Sequence, residues 1–278
     1  MDTRFIDSLV LVAETGSFAA AARAQNLTPA AVAQRVRSLE AELGESLIIR
    51  VGKHVAPTPA CQSVLEQMRH IASAVGQLSR DIDTTGLGGP LRIGAISTAL
   101  SDRLPGVLKC LATQAPKARL TITPGSSEAL YTKLLNTDLD AIFVVRPPLA
   151  LPKSLGEITL ETQGYVLITQ ADDLRPASDI LTQDKALIYD RNSWGGNLIE
   201  PWLRRHIAPH RILCELDALE AIAAAVSQGL GFAILPHWPG MDALPGLRHL
   251  TLPDLDHQRE LVLLHRRLSP GIIDLLRR

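Results

Sequence analysis

A single long amphipathic helix, predicted near the amino-terminal end of the chain, constrains the fold more than any other feature of the sequence. From Pro59 to about Asp83, apolar side chains recur with gaps of 3, 4, 3, 4, 3 and 4 residues, beginning at Cys61. A strict 3.5-residue repeat favours pairing with a second helix in a coiled coil. The alternative is one amphipathic helix that packs on its own domain. We take as the dimerisation seam the positions Val64, Met68, Ile71, Val75, Leu78 and Ile82.

The sequence around this helix divides into three parts. With 278 residues the chain is about twice as long as a domain of roughly 100–200 residues. The run from Thr84 to Pro90, TTGLGGP, ends the helix and predicts a hinge. We therefore expect a small domain at residues 1–58, a linker helix and hinge at 59–89, and a larger domain at 90–278.

The first part of the chain has the pattern of a helix-turn-helix. Apolar residues at helical spacing predict a first helix that Gly16 ends. Ser17 is a predicted N-cap for an alanine-rich second helix, and Thr28 for a third helix that begins at Pro29 and ends before Gly44. Two helices joined by a short turn, the second with a polar outer face, form a motif that reads the major groove of DNA. The alternative is an ordinary three-helix domain with a solvated face.

The charge of the first part differs from that of the whole chain. Lys and Arg (28) nearly balance Asp and Glu (29), which excludes a globally basic nucleic-acid binder. No acidic residue lies between Glu14 and Glu40, or between Glu45 and Glu66, to cancel the cations that phosphate contacts need. The candidate DNA-binding residues are Arg23, Thr28, Pro29, Ala30, Ala33, Gln34, Arg35, Arg37, Arg50 and Lys53. Among them, the glutamine suits an adenine edge and the arginines suit guanine or phosphate.

After Pro90 the pattern changes to apolar strands that alternate with helices. Strands are predicted at residues 91–96, 118–123, 139–145, 165–169, 186–189, 211–216, 231–235 and 260–265, and helices at 102–113, 127–135, 197–206, 218–228 and the carboxyl end. This order predicts a mostly parallel sheet covered on both faces. Two such sets of strands indicate two α/β lobes around a cleft.

Several of these segments, in this order, resemble LysR-type transcriptional regulators. The resemblance is carried by AETGSFAAAA at 13–22, LTPAAV at 27–32, LE at 39–40, LG at 43–44, LIIR at 47–50, PTPA at 57–60 and GLGFAILP at 229–236. It implies a winged helix-turn-helix domain, a linker helix that forms dimers, with tetramers common, and an effector-binding domain with the fold of periplasmic solute-binding proteins. Where the family usually has Ser-Gln-Pro-Ala-Val-Ser, this chain has TPAAVA, so Pro29 and Ala33 replace a glutamine and a serine.

Candidate effector-binding residues lie where strands end and helices begin, because ligands of parallel sheets bind there. They are Ser97, Thr98, Ser101, Ser126, Ser127, Arg146, Asn192, Ser193 and Trp194. Hydroxyl groups and backbone N–H groups at helix starts favour an anion, and Arg146 suits a carboxylate. The hypothesis is a small effector that carries a carboxylate. The alternative is that Ser126 and Ser127 only cap a helix and that Arg146 only faces water.

Other patterns argue against catalysis and against export. Gly229 and Gly231 follow a helix and precede a strand, the reverse of a dinucleotide-binding loop, which favours helix capping and close packing. No catalytic motif has supporting context, so we expect no enzyme activity, no metal and no cofactor. An acidic start, three scattered cysteines and no apolar run of membrane-spanning length predict a reduced, cytoplasmic protein without a membrane partner.

The sequence therefore predicts a ligand-responsive regulator. It would bind inverted repeats in double-stranded DNA as a homodimer or homotetramer and sense a small, anionic metabolite. The alternative from another class is a two-lobed solute-binding protein without a DNA role, which would have no use for residues 1–60 or for the seam.

Overall fold

The computed structural model describes residues 1–52, 54–81 and 87–278, apart from the side chains of residues 73 and 76–81. The chain divides into two compact units, Met1–Gly89 with Leu135–Asp138, and Pro90–Leu134 with Leu139–Arg278. The predictions that fall outside this description are those for Lys53, Ile82, the side chain of Leu78 and residues 84–86 of the hinge. No helix in the described ranges is both long enough and apolar enough to cross a membrane.

The first unit consists of helices and a hairpin whose ends follow from local sequence. Its elements are α1 (Thr3–Thr15), α2 (Phe18–Gln25), α3 (Pro29–Leu43), β1 (Ile48–Val51), β2 (His54–Pro57) and α4 (Pro59–Asp81). The Ser17 and Thr28 hydroxyl oxygens accept backbone N–H groups at the starts of α2 and α3. Gly16 and Gly44 take the left-handed conformation that ends α1 and α3. The predicted caps and helix ends are confirmed.

The core of the first unit decides how α4 uses its apolar seam. Apolar residues of α1 and α3 are buried together, and Cys61 and Met68 of α4 are buried in the same cluster. Val64 and Ile71 pack against that cluster. Val64, Met68 and Ile71 therefore pack on their own domain, and Val64 and Ile71 remain partly exposed. Val75, one turn further on, is partly exposed and is not part of the cluster.

The second unit is a two-lobed α/β domain, as predicted. Its elements are β3 (Gly89–Ala95), α5 (Ser97–Asp102), α6 (Leu104–Gln114), β4 (Ala118–Pro124), α7 (Ser127–Leu135), β5 (Ala141–Val145), β6 (Gly156–Gln170), α8 (Ala177–Gln183), β7 (Ala186–Tyr189), α9 (Trp194–His206), β8 (Ile212–Leu216), α10 (Leu219–Ser227), β9 (Phe232–Pro236), β10 (Leu247–Leu250), β11 (Gln258–His265) and α11 (Pro270–Leu276). The strand order is β4-β3-β5-β11-β6-β9-β7-β8, with β10 also paired to β6. The first lobe holds β3–β5, β11 and α5–α7, and the second holds β7–β10 and α8–α10. Strand β6 runs through both.

The prediction of a mostly parallel sheet is wrong in the middle of the sheet. Strand β3 is parallel to β5, and β7 is parallel to β8 and β9. In contrast, β11 is antiparallel to β5 and β6, and β6 is antiparallel to β9 and β10. The reason is that β6 carries the chain from the first lobe to the second while β11 brings it back, so the two strands run in opposite directions.

The helix predicted at residues 102–113 is α6, Leu104–Gln114, and a short helix that was not predicted, α5, precedes it and meets it at Arg103. Pro105 lies in the first turn of α6, where a missing N–H is tolerated; inside a continuous helix its ring would clash with the preceding turn. The break allows α5 to begin directly after β3. Ser97 and Thr98 therefore lie at the carboxyl end of that strand.

The turn between α10 and β9 shows why two glycines are needed there. Gly229 takes φ +80° and its N–H donates to the carbonyl of Val226 at 2.9 Å, which ends the helix. Gly231 takes φ +132°, and a Cβ atom there would lie 2.1 Å from the carbonyl oxygen of Lys185. The prediction of helix capping and close packing is confirmed.

We expect Gly231→Ala to lower the free energy of unfolding by about 2 kcal/mol or more, because it combines a strained φ with a backbone clash. The control is Gly106→Ala in α6, where nothing lies within 4 Å of the added Cβ. That substitution should stabilise the helix by about 0.5–1 kcal/mol. Urea unfolding followed by circular dichroism measures both, and equal stability of the two variants would contradict the packing argument.

Candidate functional site

One side of α3 is exposed because the opposite side forms the core of the first unit. Ala30, Gln34 and Arg37 recur at helical spacing on the exposed side, and Thr28 and Pro29 extend it at the amino-terminal end. We call the recognition face the set Thr28, Pro29, Ala30, Ala33, Gln34 and Arg37. At its centre Nη2 of Arg37 donates to Oε1 of Gln34 at 3.0 Å.

A groove of about 510 Å³ lies between the recognition face and the β1–β2 hairpin. Arg37 from α3 and Arg50 from the hairpin both line it. Among the described lining residues the one carboxylate is Glu40, whose Oε1 accepts the backbone N–H groups of Leu47 at 2.8 Å and Ile48 at 3.1 Å. Because these bonds direct Glu40 towards the start of β1, the cations of the groove face outward without a competing carboxylate.

Arg35 does not lie on the recognition face, although the sequence analysis names it as a DNA contact. Its Nη1 donates to Oγ of Ser8 at 3.3 Å, and that hydroxyl donates to Oε1 of Gln25 at 2.7 Å. One helical position turns a side chain by about 100°, which directs Arg35 towards α1 rather than outward. It therefore joins three helices of the first unit. The other predicted cations, Arg23 in α2 and Arg50 in the hairpin, are exposed.

The second unit holds a cavity of about 310 Å³ where its two lobes meet, a size suited to a small metabolite. The first lobe lines it with Ile96, Ser97, Thr98, Leu100, Pro124, Gly125, Ser126, Ser127 and Arg259, and the second with Tyr189, Ser193, Asp217 and Leu219. The lining segments follow the carboxyl ends of β3, β4, β7 and β8, as the rule for α/β sheets predicts. The structure brings together here the predicted residues Ser97, Thr98, Ser126, Ser127 and Ser193.

Arg259, in β11, is the charged centre of this cavity. Its side chain is buried, at 1% exposure. Nε donates to Oε1 of Gln163 at 2.6 Å, and Nη2 donates to Oγ1 of Thr98 at 3.3 Å. Nη1 is buried and has no hydrogen-bond partner among the residues that the structure describes. Since a buried, incompletely paired cation costs several kcal/mol, this donor suits an anion that enters the cavity.

Several hydroxyl groups of the cavity already serve the protein. Ser126 and Ser193 accept backbone N–H groups at the starts of α7 and α9, at 3.3 and 3.0 Å. Oγ of Ser127 accepts the N–H of Val145 at 3.2 Å. These contacts match the alternative interpretation, in which Ser126 caps a helix. Thr98 accepts from the arginine, which leaves its own O–H to donate to a ligand.

Arg146 and Asn192 lie outside the cavity lining. The guanidinium of Arg146 is paired with Glu157 at 2.6 Å and with Glu260, and its side chain is 42% exposed. Asn192 is exposed and its amide donates to Oδ1 of Asp190 at 3.2 Å. Arg146 is thus paired with two carboxylates, although the sequence predicts it as the cation that binds the effector. The arginine that lines the cavity is Arg259 instead.

Ser101 and Trp194 also lie outside the lining, and both join the two lobes. Oγ of Ser101 in α5 donates to Oε1 of Glu220 in α10 at 2.9 Å. The backbone N–H of Trp194 in α9 donates to Oε1 of Glu128 in α7 at 2.9 Å. The Trp194 ring packs edge-on against Tyr131 with centroids 5.6 Å apart. These contacts connect the two lobes and do not line the cavity.

Two titratable groups of the second lobe line the cavity. The pKa of Asp217 is raised from 3.8 to about 6, mainly by burial; repulsion from Asp190 and Glu128 contributes to this shift, and Arg259 opposes it. Burial also raises the pKa of Tyr189. Asp217 is therefore divided between its protonated and ionised forms near pH 6, and only the protonated form can donate to an anion.

Arg259 is absent from the residues predicted from the sequence, although the sequence carries a signal for it. In the run QRELVL at 258–263, Arg259 alternates with Leu261 and Leu263, which are both buried. A period of two in a strand places the three side chains on one face. An arginine in register with buried leucines indicates a buried charge, and a buried charge is typical of a ligand site.

Comparisons with known families cover both units. Residues 4–62 match the bacterial regulatory helix-turn-helix proteins of the lysR family, and residues 84–272 match the LysR substrate binding domain. This chain belongs to the LysR family of transcriptional regulators. It is therefore a DNA-binding regulator with an effector-binding domain and not an enzyme. The alternative of a solute-binding protein without a DNA role does not account for the match at the helix-turn-helix.

Similar proteins of known name are transcriptional regulators. The transcriptional activator IlvY of Salmonella typhimurium is 27% identical over 245 residues, which cover 85% of this chain and 82% of that protein. The regulator CbbR of Xanthobacter flavus is 29% identical over 238 residues, covering 82% of this chain and 70% of that protein. The regulator YofA of Bacillus velezensis is 27% identical over 227 residues, covering 81% and 77%.

Solved structures of full-length regulators share the fold. A cysteine-to-aspartate variant of full-length OxyR from Pseudomonas aeruginosa superposes with a TM-score of 0.72 at 22% identity, over 100% of this chain and 93% of that chain. CbnR complexed with its target DNA superposes with a TM-score of 0.64 at 20% identity, over 99% of this chain and 97% of that chain. Likeness at these identities concerns the fold alone.

We expect Arg37→Ala to weaken DNA binding by this LysR regulator. Loss of a phosphate contact should also make the dependence of log affinity on log salt shallower by about 0.9 for each contact removed. Titration of a labelled DNA duplex at several salt concentrations measures both. The control is Arg205→Ala, which removes an exposed arginine from α9 in the second unit. An unchanged affinity and salt slope in Arg37→Ala would remove this residue from the DNA contacts.

Proposed function

We propose that this LysR regulator binds inverted repeats in double-stranded DNA as a dimer, or as a tetramer built from dimers, and that a small anionic metabolite changes this binding. Residues 1–58 would contact DNA, residues 59–89 would link two copies, and residues 90–278 would bind the effector. The observation that supports an anionic effector is the buried Nη1 of Arg259, which has no partner among the described residues and lies in a cavity of about 310 Å³.

The recognition face supplies the chemistry for DNA. The amide of Gln34 suits an adenine edge and the guanidinium of Arg37 suits guanine or phosphate. Ala30 and Ala33 are small enough to let the helix lie close to the bases. Thr28, whose oxygen accepts the N–H of Ala31, retains its O–H to donate to a phosphate oxygen.

An inverted repeat requires two copies of the recognition face. Two-fold related helix-turn-helix units contact half-sites about 34–36 Å apart, or a multiple of that distance. Because Val64, Met68 and Ile71 pack within their own domain, we propose that α4 pairs with the same helix of a second copy from Val75 onward.

The cavity favours a small organic acid over a neutral metabolite. A carboxylate can accept from Nη1 of Arg259 and from the O–H of Thr98, which together form a polar corner of the first lobe. Tyr189 and Asp217 face this corner from the second lobe. An anion bound between them would contact both lobes, so its binding would favour one arrangement of the lobes over others.

The test is retention of genomic DNA fragments from the source organism by the purified full-length chain, with and without small organic acids. We expect the retained fragments to share an inverted repeat, and at least one acid to change their affinity while neutral metabolites do not. Scrambling one half-site should weaken binding strongly, as expected for a dimer. Failure to retain any duplex would overturn the DNA assignment.

Two arginine variants then locate the effector. We expect Arg259→Met to retain DNA binding. Its affinity for the acid should fall by about 2 kcal/mol, roughly thirtyfold, because the substitution removes a buried charged donor. Arg146→Met is the matched control, since Arg146 lies outside the cavity and is paired with Glu157 and Glu260. A lost response in Arg146→Met with a normal response in Arg259→Met would place the effector elsewhere.

The affinity for the acid should fall as the pH rises through about 6, the pKa of Asp217. Above that pH Asp217 is ionised and repels the bound anion, by about 1 kcal/mol even in water-like screening at contact distance. Asp217→Asn should remove this pH step. The same raised pKa means that the free energy of unfolding falls as the pH rises from about 4 to about 6. At pH 7–8 the Asp217→Asn variant should therefore be more stable than the unmodified chain. Calorimetric titration at pH 5 and pH 8 measures the affinity, and an unchanged pH dependence in the variant would contradict the assignment.

A further inference from the structure

A second group of side chains with ligand chemistry lies in the second lobe, outside the effector cavity. His237 directly follows β9, Asp242 lies in the 3-10 turn Pro239–Ala243, and His249 lies in β10. Strands β9 and β10 both pair with β6, where Leu167 faces Ile234 on one side and Leu250 on the other. The two histidines therefore come from strands on opposite sides of β6 and meet at one turn.

The distances within this group are those of a coordination sphere. Nε2 of His237 lies 2.8 Å from Oδ1 of Asp242, and Nδ1 of His249 lies 3.6 Å from the same oxygen. All three ligand atoms lie within 4.8 Å of one another. Bonds of about 2.0–2.1 Å around a tetrahedral ion separate neighbouring ligand atoms by about 3.3 Å. The two separations from Oδ1 of Asp242 lie on either side of that value, so small side-chain movements would let the three atoms bind one ion.

The donor set selects a class of metal. Two imidazoles and one carboxylate suit zinc and its first-row neighbours, whereas calcium and magnesium prefer oxygen ligands alone. His237 and Asp242 also line a cavity of about 560 Å³, which gives an ion and a water ligand access.

We propose that His237, Asp242 and His249 bind one divalent transition-metal ion of the zinc class, with solvent completing the coordination. The bound ion would join the end of β9, the turn after it and β10, and so stabilise the second lobe. The residues that line the effector cavity and those that form this site do not overlap. Metal binding therefore does not depend on the effector proposal, and either can fail alone.

The test is titration of the tag-free, metal-stripped full chain with Co²⁺, followed by its ligand-field absorption, and then competition with Zn²⁺. We expect one Co²⁺ per chain, displacement by Zn²⁺ and a higher melting temperature with Zn²⁺. His249→Ala and Asp242→Asn should each weaken binding by about a hundredfold or more. The control is His210→Ala, an exposed histidine outside the cluster, which should bind as the unmodified chain does.

Asp242→Asn keeps the experiment decisive if a histidine variant unfolds, because the Asp242 side chain is 63% exposed and the substitution conserves its shape. The melting temperature of each metal-free variant checks its fold. No Co²⁺ spectrum in the unmodified chain, or the same affinity in His249→Ala, Asp242→Asn and His210→Ala, would overturn the site.

Discussion

A buried guanidinium where two lobes meet sets the chemistry of the effector-binding domain. Arg259 is 1% exposed, yet among the described residues only two of its three nitrogens find acceptors, in Gln163 and Thr98. A charge in such surroundings is tolerated when its remaining donor is satisfied, and the anion that we propose would satisfy it. The carboxyl of Asp217, whose pKa is raised to about 6 mainly by its own burial, lines the cavity from the second lobe.

In the DNA-binding domain, by contrast, the cations are exposed and the neighbouring carboxylates are bound in structural contacts. Glu40 lies in the groove next to the recognition face, but its Oε1 is bound to two backbone N–H groups. Glu14, at the end of α1, is paired with Arg69 of α4 at 3.0 Å. Both acids are thereby assigned to structural contacts, and Arg37 and Arg50 remain directed outward. A net charge of −1 is compatible with DNA binding because charge placement, rather than the sum, decides the local field.

Features fixed by local chemistry were predictable, and features fixed by distant pairing were not. The caps at Ser17 and Thr28 and the ends at Gly16 and Gly44 depend on neighbours in sequence, so the helices of the first unit follow from the sequence. The antiparallel placement of β11 depends on a chain that returns between lobes, which periodicity does not record. Likewise the sequence does not show that Glu157 and Glu260 pair with Arg146, because only the folded strands bring these three residues together.

Individually weak contacts hold the two lobes together around the cavity, and this bears on how a small ligand can act. Ser101 bonds to Glu220, and the Trp194 N–H bonds to Glu128, each at 2.9 Å. A hydrogen bond of this kind contributes about 1 kcal/mol net, or somewhat more to a charged acceptor. An anion that contacts both Arg259 in the first lobe and the lining of the second lobe would contribute a binding free energy of similar size. Coupling free energies between sites are typically about 1–3 kcal/mol. The anion that we propose would therefore supply enough free energy to shift an equilibrium between lobe arrangements, because these contacts between the lobes are individually no stronger.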